Sequence, residues 1–175
     1  VLDERTPFLD QGLLGEDEDE RYAIPVVTNN WATVYEHCVR AIDRSLKFGQ
    51  HGLPLIGTGD WNDGFSAIGR EGKGESVWLG WFVITTLKAF LPLCERRGDL
   101  QRLARYQEII TNLTENIEKN AWDGSWYRRA YYDDGSPLGS IANTECQIDS
   151  IAQSWAVISQ GAKQSRVADA ILAME

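Results

Sequence analysis

The 175-residue sequence has little positive charge, few cysteines and few histidines, and each shortage excludes a class of function. Seventeen Lys and Arg residues stand against 26 Asp and Glu residues, which makes the formal net charge −9. Nucleic acids and anionic membrane surfaces are bound by proteins that present a positive surface. The charge balance therefore argues against both partners, and it suits a neutral ligand such as a sugar.

The three cysteines, Cys38, Cys94 and Cys146, are odd in number, far apart and without a Cys-x-x-Cys pair. We therefore expect neither a disulfide framework nor a metal site, and a reducing, cytoplasmic location is the simpler interpretation. Of the two histidines, His37 is expected to pack on a helix, while His51 either orients the loop that follows it or ends the preceding helix favourably. No apolar run is expected to span a bilayer, and no signal peptide is recognisable.

Apolar residues at three- and four-residue steps over much of the chain predict a mainly helical protein. Five helices are expected: from a cap at Asn29 or Asn30 to near Gly49, from Glu75 or Ser76 to Gly98, from Leu100 to Asn120, over 148–160 and over 164–175. Residues 126–132 and the turn sequence Asp133-Asp134-Gly135 predict a short β-hairpin. Residues 1–28 show no sustained period, and the acidic run 16–20 is expected to be a solvated loop, with a cation site as the alternative.

The stretch 51–74 is rich in glycine and is expected to be a long loop, which inside a compact domain is often functional. It contains Gly59-Asp60-Trp61-Asn62-Asp63-Gly64, where two carboxylates, an amide and an indole follow one another. A carboxylic acid can protonate a glycosidic oxygen, an amide can hydrogen-bond hydroxyls, and an indole can stack on a pyranose. Asp and Asn beside Gly are also ordinary turn formers, so on composition alone a structural role stays open.

Several stretches of the sequence together carry a family resemblance. They are Leu2-Asp3-Glu4 with Pro7-Phe8-Leu9, Gly52-Leu53-Pro54-Leu55, Gly59-Asp60-Trp61-Asn62-Asp63-Gly64, Gly74-Glu75-Ser76-Val77-Trp78-Leu79-Gly80-Trp81-Phe82, Trp126-Tyr127-Arg128-Arg129-Ala130-Tyr131 and Ile148-Asp149-Ser150-Ile151-Ala152-Gln153-Ser154-Trp155. In these the chain resembles glycoside hydrolase family 94, which contains cellobiose and chitobiose phosphorylases and the phosphorylase-like region of cyclic β-1,2-glucan synthases. The likeness is strongest over 37–82, and the last stretches are most similar to the synthase branch, in which Met commonly stands at the position of Phe65.

The resemblance implies that residues 1–175 are part of an (α/α)6 barrel, in which helical hairpins ring a central pocket. It maps the general acid to Asp63 and a donor-sugar contact to Trp61, and it gives Asp60 and Asn62 a loop-shaping or sugar-contacting role. The implied reaction is inverting phosphorolysis of a β-linked glucan or oligosaccharide, with inorganic phosphate as co-substrate and no cofactor. Because the family's phosphate-binding residues lie outside this stretch, the fragment is expected to be inactive alone. The resemblance leaves open a homodimeric parent protein and a membrane-bound one with this region on its cytoplasmic side.

Three other functions stay open at this point. An inverting glycoside hydrolase on the same barrel would need a carboxylate base opposite Asp63, for which Asp60 is uncomfortably near in sequence. A non-catalytic carbohydrate-binding module would keep the aromatic pocket without turnover. In a helical interaction domain, the Asp-Trp-Asn-Asp sequence would be a coincidence.

Overall fold

The computed structural model describes residues 1–15, 18 and 21–175, which form two compact units, Val1–Lys47 and Phe48–Glu175. The acidic run 16–20, expected to be a solvated loop or a cation site, lies outside the described residues except for Glu18. Most of the helical structure, and the whole of the loop 51–74, belongs to the second unit.

The first unit is a β-hairpin followed by a helix. Strand β1 (Arg5–Asp10) pairs antiparallel with β2 (Val26–Thr33), and the register shifts once, after Pro7. Helix α1 (Val34–Ser45) follows directly, and the Thr33 hydroxyl caps its first turn by accepting a backbone hydrogen bond at 3.2 Å. The helix is therefore positioned by the end of the hairpin.

Two predictions for this unit are wrong. The sequence predicts no regular structure over 1–28 and a helix cap at Asn29 or Asn30, whereas both asparagines lie inside β2. Most side chains of the two strands are exposed, so the strands lack the alternation of apolar and polar residues by which a strand is recognised. Pairing with a distant strand decides the structure here and outweighs the capping tendency of asparagine. The helix itself is confirmed, but it ends at Ser45, before Gly49.

Two long helices form the core of the second unit. Helices α2 (Val77–Arg97) and α3 (Leu100–Asn120) pack against each other and are separated by Gly98, which has a left-handed φ of 68°. Glycine adopts this conformation without steric cost, and it ends a helix. The predicted stop at Gly98 and both predicted ends of α3 are confirmed, and α2 continues through Pro92.

Helix α2 contradicts the expectation that no segment could span a bilayer. Among the described residues it is the one helix long and apolar enough to do so. Half of its most apolar stretch is buried, and Trp81, Ile84 and Leu87 are completely buried. A helix in the core of a globular domain can have the same length and composition, so these two properties alone do not place α2 in a membrane.

A small antiparallel sheet joins distant parts of the second unit. Its strands are β3 (Glu75–Ser76), β4 (Ala130–Tyr131) and β5 (Pro137–Leu138), with β4 in the middle. The predicted hairpin is confirmed and turns through Gly135 at φ 83°, although its first strand is shorter than 126–132. The pairing of β3 with β4 has no recognisable pattern in the local sequence, because β3 has only two residues and leads directly into α2.

Helices α4 (Ser150–Ile158) and α5 (Gln164–Leu172) lie within the predicted ranges 148–160 and 164–175. Helix α4 packs against both α2 and α5. The predicted class, mainly helical with a short β-hairpin, is confirmed for the described chain.

Candidate active site

The predicted long loop is present, and its two ends meet. A β-bridge joins Leu55 to Glu75, and the backbone N–H of Ile56 donates to the carbonyl of Gly74 at 2.9 Å. Residues 57–73 therefore form a closed excursion whose ends are close together, the geometry typical of compact surface loops that carry function.

Asp60 lies inside this loop with its side chain fully buried. Nη1 of Arg129 is 2.7 Å from Oδ2 of Asp60, and Nη2 donates to Oδ1 at 2.8 Å. The Ser76 hydroxyl donates to Oδ2 at 2.7 Å, and the backbone N–H of Asn62 donates to Oδ1 at 3.0 Å. We call Asp60, Ser76 and Arg129 the anchor network, because they tie the loop to the start of α2 and to the residue before β4.

The anchor network keeps the Asp60 carboxyl ionised. Burial by itself raises the pKa of a carboxyl group, because the charged form is poorly solvated there. Hydrogen bonds from Arg129, Ser76 and the Asn62 N–H, together with the positive charge of Arg129, outweigh burial and hold the pKa of Asp60 below its usual value. Of the two roles expected for Asp60, this geometry favours loop shaping, since its oxygens are already occupied.

The residues after Asp60 form an exposed turn (residues 61–64). The Trp61 side chain is 69% exposed. The Asn62 side chain accepts a hydrogen bond from the Gly64 N–H at 2.9 Å and so caps a single 3-10 turn that begins at Asp63. Asp63 is exposed, and within the described residues its carboxylate has no hydrogen-bond or ion-pair partner. Both the indole and this carboxylate are accessible to a ligand, and their assignment as stacking surface and acid stays a prediction.

A second buried carboxylate, Glu75, holds the start of the loop and is 1% exposed. It accepts hydrogen bonds from the backbone N–H groups of His51 at 3.1 Å and Leu53 at 3.0 Å, and Oε2 lies 2.5 Å from Nδ1 of His51. The His51 ring also stacks on Tyr131, with centroids 3.8 Å apart. Of the two roles expected for His51, orientation of the loop through hydrogen bonds is confirmed.

The remaining residues singled out from the sequence have packing roles or lie apart. In the first unit, the His37 ring stacks on Phe8 with centroids 3.9 Å apart, and its Nε2 is 3.1 Å from the Thr6 carbonyl. This is the packing role expected for His37. The three cysteines are free thiols, and across the described ranges no group of three or more His, Cys, Asp or Glu side chains is arranged to hold a metal ion.

Glu75, Ser76 and Arg129 are parts of this site that the sequence does not reveal directly. One signal for Arg129 exists, because Tyr127, Arg129 and Tyr131 alternate along the predicted strand and all three are buried. An arginine on the buried face of a strand requires a buried carboxylate, since charges are almost never buried unpaired. Nothing local identifies that carboxylate, because Asp60 lies 69 positions earlier in the chain.

The chain is similar to proteins of a known family. Residues 9–175 match the family model described as the glycosyl hydrolase 94 superfamily, catalytic domain. The chain is 46% identical to the cyclic beta-(1,2)-glucan synthase NdvB of Rhizobium meliloti (strain 1021), over 99% of this chain and 6% of that protein.

Two phosphorylases are also similar. The chain is 34% identical to the 3-O-beta-D-glucopyranosyl-beta-D-glucuronide phosphorylase of Paenibacillus borealis, over 82% of this chain and 19% of that protein. It is 32% identical to the N,N'-diacetylchitobiose phosphorylase of Vibrio furnissii, over 82% of this chain and 18% of that protein. The chain thus spans 6–19% of the length of these three relatives. The residues matched by the family model include the loop, the anchor network and the exposed turn, and the chain belongs to the glycosyl hydrolase 94 superfamily.

Proposed function

We propose that this chain is part of the catalytic domain of an inverting phosphorylase of β-glucosidic bonds, with Asp63 as the general acid. One observation carries the proposal: an exposed carboxylate with no partner among the described residues lies two positions from an exposed tryptophan, on a turn held by buried charges. Functional groups held on a fixed support are what catalysis requires. The relatives, which are phosphorylases and a glucan synthase, support a carbohydrate substrate.

The reaction needs one acid from this chain. Asp63, in its protonated form, donates a proton to the glycosidic oxygen while the bond from that oxygen to the anomeric carbon breaks. An oxygen of inorganic phosphate forms the new bond to the anomeric carbon from the opposite face. The configuration is inverted, and the products are an α-sugar 1-phosphate and a saccharide shortened by one unit.

The surroundings of Asp60 argue against it as the base that an inverting hydrolase on the same scaffold would need. A hydrolase needs a second carboxylate, about 6.5–9.5 Å from the acid, that activates water as a base. The Asp60 carboxylate is buried and paired with Arg129, so it is unsuited to take a proton from water. Phosphate is already nucleophilic and requires no such base.

Trp61 and Asn62 supply recognition in this proposal. The exposed indole offers a flat apolar face on which a pyranose ring stacks, and such stacking is a common source of affinity for planar ligand faces. The side-chain oxygen of Asn62 already accepts the Gly64 N–H, so its amide N–H groups are the part left for sugar hydroxyls. The proposed partners are therefore a β-linked glucan or oligosaccharide and inorganic phosphate, without a cofactor.

The complete site requires residues outside this chain. We expect the whole domain to be an (α/α)6 barrel in the cytoplasm, with the phosphate-binding residues on parts beyond 1–175. The isolated chain should then release no sugar 1-phosphate, and its function has to be tested in the intact protein that carries it.

The decisive variant is Asp63→Asn in that intact protein. Removing the proton should lower kcat for phosphorolysis of a β-1,2-linked glucan by about 10²–10⁴-fold, while the fold stays intact. The measurement is sugar 1-phosphate release, with circular dichroism as the check on folding. Asp134→Asn is the matched control, because Asp134 is an exposed aspartate in a different turn and its loss should leave kcat unchanged. A near-normal kcat for Asp63→Asn, or turnover that does not depend on phosphate, contradicts the proposal.

A further inference from the structure

We infer that Arg129 is the positioning residue that sets where Asp63 stands, because its guanidinium contacts the chain on both sides of that residue. This inference rests on the proposed function, in which Asp63 is the acid. On one side Arg129 binds Asp60, and on the other it lies over the ring of Phe65. Asp63 therefore lies between two residues that are fixed by the same side chain.

The contact with Asp60 fixes direction as well as distance. Two guanidinium nitrogens meet the two carboxylate oxygens at 2.7 and 2.8 Å, which is the paired fork that arginine forms and lysine cannot. Nη1 of Arg129 also donates to the Ser76 hydroxyl at 3.2 Å. With its side chain 1% exposed, Arg129 holds Asp60 where water does not compete for these bonds.

The contact with Phe65 fixes the other end of the turn. The guanidinium carbon of Arg129 lies 4.7 Å from the centroid of the Phe65 ring, which is a favourable cation–π distance. Phe65 also packs against an apolar cluster formed by Ile56, Ile68 and Ala130. The Phe65 ring therefore has little freedom, and the 3-10 turn that begins at Asp63 ends on a fixed residue.

Arg129 is itself held along its whole length. Its backbone N–H donates to the Leu138 carbonyl at 2.8 Å, and its carbonyl accepts from the Val77 N–H at 3.1 Å. A side chain at Gly139 would meet the Arg129 backbone nitrogen at 2.8 Å, so the close approach depends on glycine there. At the far end, Nε is 3.2 Å from Oδ2 of Asp149, within ion-pair range but without the alignment of a hydrogen bond.

Stability alone does not account for this arrangement. A buried ion pair contributes little net stability, because desolvation of the two charges offsets their attraction, and apolar replacements are often as stable. What the pair supplies is one defined position for the residues it joins. A displacement of about 1 Å in a catalytic group costs on the order of a hundredfold in rate, so this position matters to an acid in the turn.

The test compares single and double variants in the intact protein, with Asp63→Asn as the reference. Arg129→Lys keeps the charge but loses the fork, and should lower kcat about 10–100-fold while the KM for phosphate changes less than about threefold. Arg128→Lys is the matched control, since Arg128 pairs with Asp123 and should leave kcat within about twofold when its pair is disturbed.

The double variant separates positioning from stability. Arg129→Gln leaves Asp60 charged and unpaired, and Asp60→Asn added to it removes that buried charge, so the double variant should melt higher than Arg129→Gln alone. Its kcat should nevertheless stay at least tenfold below wild type, because the fork and the contact over Phe65 are still absent. Kinetics are measured well below all melting temperatures, so that every variant is folded.

The outcomes are distinct. The positioning role is overturned if the double variant recovers both its melting temperature and its kcat, or if Arg129→Lys has a wild-type kcat. In either case a low kcat in Asp63→Asn still shows that the acid is needed. A near-normal kcat in Asp63→Asn instead removes the proposed function itself. Low kcat in Arg129→Lys and in the restabilised double variant supports the inference.

Discussion

Asp60 and Asp63 stand three positions apart in one loop, yet their surroundings are opposite. The Asp60 carboxylate is fully buried and bound by Arg129, Ser76 and a backbone N–H. The Asp63 carboxylate is exposed and, as far as the structure describes the chain, has no partner. The carboxylate of Asp60 thus holds the loop in place, whereas the carboxylate of Asp63 is free to contact a ligand.

The difference shows that burial distinguishes the residues that hold this loop in place from the residues that the loop exposes to a ligand. The buried carboxylate of Glu75 holds the start of the loop and that of Asp60 anchors its interior, and the loss of either should change stability. The exposed turn carries groups whose loss should change ligand chemistry while the fold is kept. Substitutions in the two regions should therefore affect different measurements.

The largest expected effect on stability follows Glu75→Ala. The change leaves the backbone N–H groups of His51 and Leu53 without their acceptor, and should cost about 3–5 kcal/mol of local stability. Hydrogen exchange at the Ile56 and Ser76 amides in the intact protein measures it, because both donate to backbone carbonyls and exchange only when this region opens. Glu75→Gln keeps one acceptor and should cost about half as much. A loss below about 1 kcal/mol for Glu75→Ala would mean that the loop is held elsewhere.

A smaller effect comes from acid, through Asp60. Because its pKa is lowered in the folded state, the ionised carboxylate stabilises the fold above the unfolded pKa of about 4, and this contribution is lost as the pH falls through the folded value. We therefore expect the exposed turn to open more readily as the pH falls below about 4. Hydrogen exchange at the Phe65 amide, corrected for its intrinsic pH dependence, follows this opening.

In that experiment Asp60→Asn should remove the pH dependence at the turn. Asp123→Asn is the control. Burial raises the pKa of Asp123, but hydrogen bonds from the Ile141 N–H and Arg128 outweigh it and lower that pKa as well, and neither of these residues belongs to the turn. If the turn keeps its full acid sensitivity in Asp60→Asn, another group is responsible and the anchor network is less important than its geometry indicates.

The smallest effect on folding belongs to Trp61→Ala. The indole is 69% exposed, so its removal should change the free energy of unfolding by less than about 0.5 kcal/mol. Affinity for a β-linked glucan oligosaccharide should weaken by about 1–3 kcal/mol, by analogy with other aromatic stacking surfaces. Isothermal titration calorimetry on the intact protein measures this, with Tyr22→Ala, which removes another exposed aromatic ring, as the control. An unchanged dissociation constant excludes Trp61 from the binding surface.

The helices could be predicted from the sequence because their signals are local. Helix α3 has an apolar stripe of helical period and a left-handed glycine just before it, and both of its ends are as predicted. Strands β1 and β2 could not be predicted, because their exposed side chains do not alternate between apolar and polar and because they pair across the acidic run 16–20 of the sequence. Strand β3 is too short to show any period.

The candidate site divides in the same way. The motif residues Asp60, Trp61, Asn62 and Asp63 are adjacent and recognisable together, so the loop could be identified. Arg129 could be suspected from its place on a buried strand face, but its pairing with Asp60 across 69 positions depends on the three-dimensional structure. A buried fork between distant residues has no short-range signature.

The hydrogen bonds of the Ser76 hydroxyl connect the loop with the start of α2. The hydroxyl donates a hydrogen bond to Asp60 and accepts hydrogen bonds from the Leu79 N–H at 3.0 Å and from Arg129, so its single donor and both lone pairs are in use. One oxygen atom thus links the first turn of α2 to the loop through hydrogen bonds to both. Order is therefore shared in both directions: contacts that fix the loop also stabilise the first turn of α2, and fraying of that turn would weaken the hydrogen bonds that hold the loop.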